Sequence, residues 1–533
     1  MPRSLNLLLL SCIVASCATP HLGDKELPPA PPSLRAAFEA MPAPAVGAVR
    51  LLPENADSWL VRYRALSEAK SSIDVQYFIV EPDVYGLTLL SLMAEKARAG
   101  VKVRFLLDAR GSIALIRGSD RFMLQEVQRA GVDAKVYNPI IFNVADTIGR
   151  GDLRAVTASN HDKLVLVDGD LGVAGGRNLS RDYMANSFDH HKAFIDLDIL
   201  VRGPEATARL TEAFVPEHSA KKSTAVFIEP GTDGALALRL VGRAMRMWLL
   251  DKEVGKAPPD PAERSLRLQG QASVDEPTLT AEARDVLRRV ADELVLLPHL
   301  RGALRTPPSL EPAGAPVELR VLDTWSTEST VPKNTVNENL LASLQAARED
   351  VVLQSPYFIL TPRGLRAFEE ASARGVKITI LTNSPASSDS PITQAAFLKQ
   401  WPELLARAPT ARLFVTATPR LMHAKAGVMD RVLTFVGSYN LDPLSAGVNG
   451  EVVSAVWDEV TGHNLASVIE AWIAKGTPEV VEYRIKKDDA GHAVRDADGK
   501  AIVVFGPDDH CDAEKLQSVR RLEPALELLA PIL

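Results

Sequence analysis

Ser72-Ile-Asp-Val-Gln-Tyr-Phe-Ile-Val80 is an apolar run with the length and composition of a buried strand. A helical stretch follows from Gly86 to Ala99, with Leu87, Leu89, Leu90, Leu92 and Met93 on its apolar face. Gly100 breaks it, and Val101-Lys-Val-Arg-Phe-Leu-Leu-Asp108 reads as the next strand. The pattern returns at Asp350-Val-Val-Leu-Gln-Ser-Pro-Tyr-Phe-Ile359 and runs through a helix to Ala373-Arg-Gly-Val-Lys-Ile-Thr-Ile-Leu381. Tyr77-Phe78-Ile79 matches Tyr357-Phe358-Ile359, and Gly100-Val-Lys-Val103 matches Gly375-Val-Lys-Ile378. Strand–helix–strand units with apolar strands predict an α/β fold of mainly parallel or mixed sheets flanked by helices. Two units about 280 residues apart predict a duplicated domain. The unit is too long, and occurs too few times, for a solenoid.

Each copy is followed by the same polar constellation. The first has His161-Asp-Lys163, Asp168 and Gly175-Gly-Arg-Asn178; the second has His423-Ala-Lys425, Asp430 and Gly437-Ser-Tyr-Asn440. Lys falls at +2, Asp at +7 and Asn at +17 after each His. One such spacing is weak evidence of a site, whereas two with a shared Asn offset, each behind a duplicated strand, are strong evidence. His and Lys two residues apart point to one face of a strand. An ammonium beside an imidazole suits a phosphodiester: the Lys neutralises a non-bridging oxygen while the ring attacks phosphorus or protonates the leaving oxygen. One His does not easily do both jobs in one step, so two halves facing each other would supply two His and two Lys around one phosphate. The lysines and Asn amides can carry the developing charge, so the arrangement needs no metal and no cofactor. An imidazole near its ordinary pKa of about 6.5 also lets one ring be neutral while its partner is protonated.

His161, Lys163, Asp168, His423, Lys425 and Asp430 are therefore the candidate catalytic set, with Asn178, Asn440 and Ser438 as phosphate support. The structural alternative for Asp168, which precedes Gly169 after the apolar Leu164–Val167, is a turn, and Asp430 is similar. Gly175, Gly176 and Gly437 permit a tight turn or a close approach of backbone amides to a phosphate. The isolated His190, His191 and His299 are set aside as surface or packing residues.

Outward from the repeats, residues 1–17 carry Arg3 and an apolar stretch from Leu5 to Ala15, the shape of a secretory leader and too short to span a bilayer. Val14-Ala15-Ser16-Cys17 resembles the bacterial lipobox, so Cys17 is expected to be lipidated. That would hold the protein in the bacterial cell envelope facing the periplasm, with Ala18 favouring the outer membrane; a leader cut near Ala15 is the alternative. Residues 18–45 contain seven prolines and read as an extended tether. Residues 46–216 form the first domain and 319–476 the second. Between them, 217–318 reads as a Pro- and charge-rich insert with helical candidates at 234–252 and 280–297 and no assigned function. After 477, Val480–Lys486 and Lys500–Phe505 read as a hairpin, and Ala513–Leu533 as a core-packing helix that turns apolar after Pro524, with contact to a membrane surface as the alternative. Cys12, Cys17 and Cys511 are too few for a disulfide framework or a Cys-rich zinc site. Lys and Arg number 60 against 67 Asp and Glu, a net charge of −7 that argues against a nucleic-acid partner.

The two motifs resemble the phospholipase D superfamily, whose signature is a pair of His-x-Lys-x4-Asp sequences, over residues 50–215, 320–475 and the C-terminal tail. Within it, Asn160-His-Asp-Lys163, Gly175-Gly-Arg-Asn-Leu179, Tyr183, Phe194-Ile-Asp-Leu-Asp198, Leu381-Thr-Asn-Ser384, Gly437-Ser-Tyr-Asn-Leu-Asp-Pro443 and Leu528-Leu-Ala-Pro-Ile-Leu533 are similar to the cardiolipin synthase branch found as bacterial envelope proteins. The resemblance implies two similar α/β halves with one active site at their interface and a phosphohistidine intermediate. It also implies an acidic residue that orients each imidazole: Glu451, at +28 from His423, fits the second motif, and Asp196 fits the first better than Asp189. It makes His161 the nucleophile and His423 the general acid and base. One departure stands out: after Asn440-Leu-Asp-Pro443 the branch usually has Arg, and this chain has Leu444.

The expected reaction is phosphatidyl transfer between membrane phospholipids, phosphatidylglycerol with itself or with phosphatidylethanolamine, giving cardiolipin. With water as acceptor the product is phosphatidic acid. A nuclease on the same motifs is disfavoured by the charge and the lipid anchor, and a non-catalytic envelope lipoprotein by the presence of all four His and Lys residues.

Overall fold

The computed structural model describes residues 26–139, 158–229, 281–297, 308–325 and 335–524, with positions 237–239, 241, 242, 245, 300 and 526 besides. The expected leader, Cys17 and residues 527–533 lie outside the described residues. The chain forms two compact units, one from residues 47–139 and 159–316, the other from 26–46 and 317–526 as far as they are described.

In the first unit the strands are β1 (Ala45–Leu52), β2 (Ser72–Tyr77), β3 (Lys102–Asp108), β4 (Asp133–Tyr137), β5 (Leu164–Val167), β6 (Leu171–Gly175), β7 (Asp198–Arg202) and β8 (Ser223–Ala225). They are ordered β1-β7-β6-β5-β2-β3-β4-β8. The β2-β3-β4 pairs are parallel, because helices connect them; every other pair is antiparallel. The sheet is therefore mixed. A tight turn joins β5 to β6, where Asp168 (φ 53°) and Gly169 (φ 65°) adopt the left-handed conformation that Asp tolerates and Gly accepts freely.

The helix Val84–Arg98 is buried on every side from Val84 to Ala94, not along one face as an amphipathic surface helix would be. Its second face is covered by the expected insert. Leu238, Val241 and Met245, with Val286, Val290 and Leu294 of the helix Ala281–Val295, join the same core. Gly242 comes so close that a Cβ there would lie 2.1 Å from Ser91 Oγ. Glu293 fixes the contact by accepting the Val84 N–H at 2.8 Å. The helix Pro204–Ser219 also runs through the expected boundary at 216, and β8 adds to β4. The segment 217–318, where described, thus belongs to the first unit and is not a separate insert.

The second unit repeats the order with β9 (Val317–Thr324), β10 (Asp350–Gln354), β11 (Lys377–Asn383), β12 (Ala411–Thr416), β13 (Ala426–Met429), β14 (Leu433–Gly437), β15 (Glu451–Trp457) and β16 (Val480–Ile485), arranged β9-β15-β14-β13-β10-β11-β12-β16. β16 also pairs with β17 (Val503–Phe505), so the C-terminal hairpin extends this sheet past 476. The helix at 513 covers Ala513–Arg520.

The expected tether is corrected over its described part. Residues Leu34–Glu39 form a helix capped by Ser33, whose hydroxyl accepts the Ala36 N–H. Leu34, Ala37 and Phe38 are buried in the second core, and the Phe38 ring lies 5.5 Å from Trp457. Arg320 donates to the Met41 and Pro42 carbonyls at 2.8 Å, and Arg35 pairs with Glu318 at 2.7 Å. Prolines flank this helix without entering it, which is where proline is compatible with helix formation.

Candidate functional site

The two motifs occupy equivalent places in the two sheets. Leu164 pairs with Gln76, near the C-terminal end of β2, and Ala426 pairs with Gln354, at the end of β10. His161 and His423 each stand three residues before these pairs. Strand pairing also corrects the alignment of the repeats. Ile73 faces Val167 and Val351 faces Met429, so Gln76 corresponds to Gln354 and Tyr77 to Ser355. The Tyr-Phe-Ile match is therefore two residues out of structural register.

His161, Lys163, His423 and Lys425 are all buried, with Lys163 at 0% exposure. Burying an ammonium is costly unless polar or charged groups surround it, so the fold retains these lysines against a real penalty. Lys425 Nζ lies 2.8 Å from His423 Nδ1 and 2.5 Å from the His423 carbonyl oxygen, to which it donates. Lys163 Nζ likewise donates to the His161 carbonyl. The Phe78 ring stands edge-on to His161, with centroids 5.0 Å apart, and Lys163 Nζ is 5.4 Å from its centre. Each pair thus sits within one chain segment, held by its own backbone.

Asp168 and Asp430 stand apart from the His-Lys pairs, in the turn position that is their alternative reading. Each lies past the far end of its strand and binds the chain that starts the neighbouring strand. Asp168 accepts the amide N–H groups of Lys70, Ser71 and Ser72 at 2.6–3.1 Å and the Ser71 hydroxyl at 2.8 Å. Burial acts upward on the Asp168 carboxyl, but the amides of Ser72, Ser71 and Lys70 together outweigh it and hold it below the ordinary range. Asp430 accepts the amides of Arg348, Glu349 and Asp350 at 2.8–3.1 Å. Both lock the start of β2 or β10 against the β5-β6 or β13-β14 turn.

The acids named for orienting the rings occupy matching positions. Ser438 N–H donates to the Val452 carbonyl and Gly176 N–H to the Leu197 carbonyl, so Glu451 and Asp196, one residue earlier in each case, are counterparts. Both are buried. Glu451 accepts the hydroxyls of Ser438 and Ser445, each at 2.6 Å, which makes Ser438 a support for the acid. In the first unit Gly176 replaces Ser438, and a Cβ there would lie 2.2 Å from Asp196 Oδ1. Arg177 holds the Asp196 carbonyl at 2.6 Å and is itself paired with Asp198 at 3.1 Å. Asp189 accepts the Leu300 N–H instead. Asn178 accepts the Ile79 N–H at 3.0 Å through its side-chain oxygen, so its amide N–H₂ is the end suited to an anion. Asn440 Oδ1 is buried with no partner among the described residues.

Two features escape sequence reasoning. Asp108 at the end of β3 accepts the Asn160 N–H at 2.9 Å. Its counterpart Asn383, at the end of β11, accepts the Met422 N–H at 3.0 Å and donates to the Met422 carbonyl at 2.7 Å. Each pins the residue preceding the motif His. Beneath the first motif, Gln76 donates to Asn160 at 2.9 Å, Asp162 at 3.2 Å and Glu217 at 2.5 Å. A glutamine inside an apolar strand, at 76 and again at 354, is the signal that marks these positions.

A family profile described as cardiolipin synthase, PLD-like domain, matches residues 63–215 and 340–475, together more than half of the chain. Cardiolipin synthase C of Escherichia coli (strain K12) is 25% identical over 418 residues, which cover 75% of this chain and 79% of that protein. Cardiolipin synthase 1 of Bacillus cereus is 24% identical over 431 residues, covering 80% of this chain and 67% of that protein. The crystal structure of phosphatidylserine synthase from Haemophilus influenzae Rd KW20 is similar in fold, with a TM-score of 0.56 at 13% identity over 94% of this chain and 97% of that one. Matched in both of its halves, each with its own buried His-Lys pair, the chain belongs to the cardiolipin synthase, PLD-like domain family.

Proposed function

We propose that the protein is a phosphatidyltransferase that acts on membrane phospholipids and makes cardiolipin from phosphatidylglycerol and a second phospholipid. The observation that carries this reading is the repetition of one buried His-Lys pair at equivalent places in two matching sheets. In the proposed mechanism both pairs share one substrate phosphate. His161 attacks phosphorus, the P–O bond to the leaving alcohol breaks, and His423 gives that oxygen its proton. Lys163, Lys425 and the amides of Asn178 and Asn440 offset the charge on the non-bridging oxygens. His423 then takes the proton of an incoming glycerol hydroxyl, whose oxygen displaces His161 and restores both rings. Asp196 and Glu451 act on ring orientation, and Asp108 and Asn383 on the backbone that carries the rings. Lipidation at Cys17 would place this chemistry at the bacterial envelope.

Hydrolysis to phosphatidic acid is the second reading, favoured by one observation. Leu444 is apolar where an arginine usually follows the second motif, which removes a charge that could hold a second lipid phosphate.

The test uses purified protein, phosphatidylglycerol vesicles with and without phosphatidylethanolamine, excess chelator, and lipid mass spectrometry. Cardiolipin is expected, and it should fall by several orders of magnitude in both His161→Ala and His423→Ala. Phosphatidic acid in its place would establish the hydrolase. No lipid product, or near-normal turnover in either variant, would overturn phosphatidyl transfer.

A further inference from the structure

The residue before the first motif His holds a turn around it. Asn160 Oδ1 accepts the Asp162 N–H at 3.1 Å, which makes His161 the central residue of an Asx turn, its backbone set by the direction of the Asn160 amide. A ring of side chains fixes that direction. Gln76 donates to Asn160 Oδ1 at 2.9 Å and to Glu217 Oε2 at 2.5 Å, and Asn160 Nδ2 donates to the same Glu217 oxygen. A flipped Asn160 would turn its N–H₂ toward the Asp162 and Gln76 donors and its oxygen toward a carboxyl oxygen, so one orientation alone satisfies the ring.

Glu217 reaches this turn from outside the motif. It lies in the last turn of the helix Pro204–Ser219, 57 residues after Asn160. It is buried, as are Gln76, Asn160 and Asp162. Taking a carboxyl out of water is costly unless its oxygens find donors, and here a single oxygen takes two. The second unit cannot build the same device, because Met422 stands in the place of Asn160 and Ala424 in that of Asp162. Met422 is held through its backbone by Asn383, as Asn160 is by Asp108, but the side-chain ring belongs to the first motif.

We propose that Glu217 is a positioning residue for the first motif: by orienting Asn160 it fixes the turn at His161, and with it the line along which the imidazole meets phosphorus. The inference rests on the phosphatidyl-transfer reading, in which His161 is the nucleophile. The ring acts on the approach of the attacking nitrogen, where a displacement of about 1 Å can cost roughly a hundredfold in rate. Glu217 therefore serves the attack by His161, and neither the affinity for lipid nor proton transfer by His423.

The experiment follows the first step alone, in the full chain. A phosphatidyl ester of p-nitrophenol in detergent micelles loses p-nitrophenolate as His161 bonds to phosphorus, and this anion leaves without a proton. All proteins carry His423→Ala, which leaves the second step without its base, so release stops after a burst of one equivalent per site. Compared with that parent, Glu217→Ala should lower the burst rate at saturating ester about tenfold or more, with the half-saturating concentration within about twofold and the amplitude unchanged. Glu217→Gln, whose amide oxygen can accept both N–H groups, should stay within about threefold of the parent. If Glu217→Ala does not fold, judged by thermal unfolding, Asn160→Met installs the residue of the second motif, severs the same link and should show the same loss of rate. An unchanged burst rate, a loss confined to amplitude or to half-saturation, or equal losses in Glu217→Ala and Glu217→Gln would overturn the proposal. No burst in the His423→Ala parent would instead refute nucleophilic attack by His161, the reading on which the inference rests, and the inference with it.

Discussion

At the scale of single residues, the two aspartates of the repeated motifs show how spacing alone can mislead. Asp168 and Asp430 recur at the same distance from each His as reliably as Lys163 and Lys425, yet their carboxylates are spent on three consecutive backbone amides each. Asp168→Asn keeps an acceptor but loses the charge, and hydrogen bonds to a charged group contribute about 1.5–3 kcal/mol. The expected result is a loss of about 1–3 kcal/mol in stability with kcat/KM within roughly threefold of wild type at a temperature where both are folded. Denaturant unfolding and lipid turnover check this; a loss of turnover of several orders in a fully folded variant would return Asp168 to the chemistry. His161, Lys163, His423 and Lys425 were legible because their relation is local, two residues apart in the segment that leads into β5 or β13. Asp196, Glu451 and Asn383 were reachable only through a family likeness, Asn383 within Leu381-Thr-Asn-Ser384, and Asp108 not at all. Their partners lie about 40–50 residues away and are set by strand pairing.

At the scale of elements, the strand–helix–strand units were readable because apolar runs, helical periodicity and breaking glycines agree with one another. What failed was the reading of proline-rich stretches as tether or insert. The helix Leu34–Glu39 is only six residues long, too short for a periodic signal and too short to be stable alone; it exists because it packs on the helix Thr335–Ala346 and sets Phe38 against Trp457 and Arg320, all far along the chain. The Phe38 ring is at 0% exposure, with the guanidinium groups of Arg320 and Arg35 4.9 and 5.3 Å from its centre. Phe38→Ala should therefore destabilise the second unit by about 3–5 kcal/mol. Limited proteolysis should then cut 317–526 at lower denaturant while 47–229 keeps its wild-type resistance. Equal resistance of both regions in the variant would show that 26–45 is a passive tether after all. The same reasoning explains why the segment after 217 read as separate: Val286, Val290 and Leu294 form a clear apolar face, but its partner, the far side of the helix Val84–Arg98, lies about 200 residues earlier.

At the scale of the whole molecule, buried titratable groups couple stability to pH in the same direction in both units. Burial raises the Asp83 carboxyl to about 7 and Asp108 to about 6 in the first unit, and Asp442 to about 6 in the second; it raises Asp323 as well. An unfolded aspartate loses its proton near pH 4, so between about pH 4 and 7 the folded state holds more protons at these positions. Their contribution to stability is complete below about pH 4 and is lost as pH rises through 6–7. Among the described residues, His218 in the first unit and His510 in the second oppose this. Burial lowers His218 and His510, so the unfolded state takes up protons they refuse as pH falls through 6.5. In each unit the raised carboxyls outnumber that imidazole, which leaves a net gain on mild acidification. Thermal midpoints should therefore rise by a few degrees from pH 7.5 to 5.5 at constant ionic strength, whether the units melt together or in two steps. Asp83→Asn removes the largest carboxyl of the first unit and should flatten that rise, because the amide is neutral at every pH. A midpoint that falls steadily from pH 7.5 to 5.5 would mean that these carboxyls are ionised and paired in the folded protein, and that buried charge stabilises it through partners.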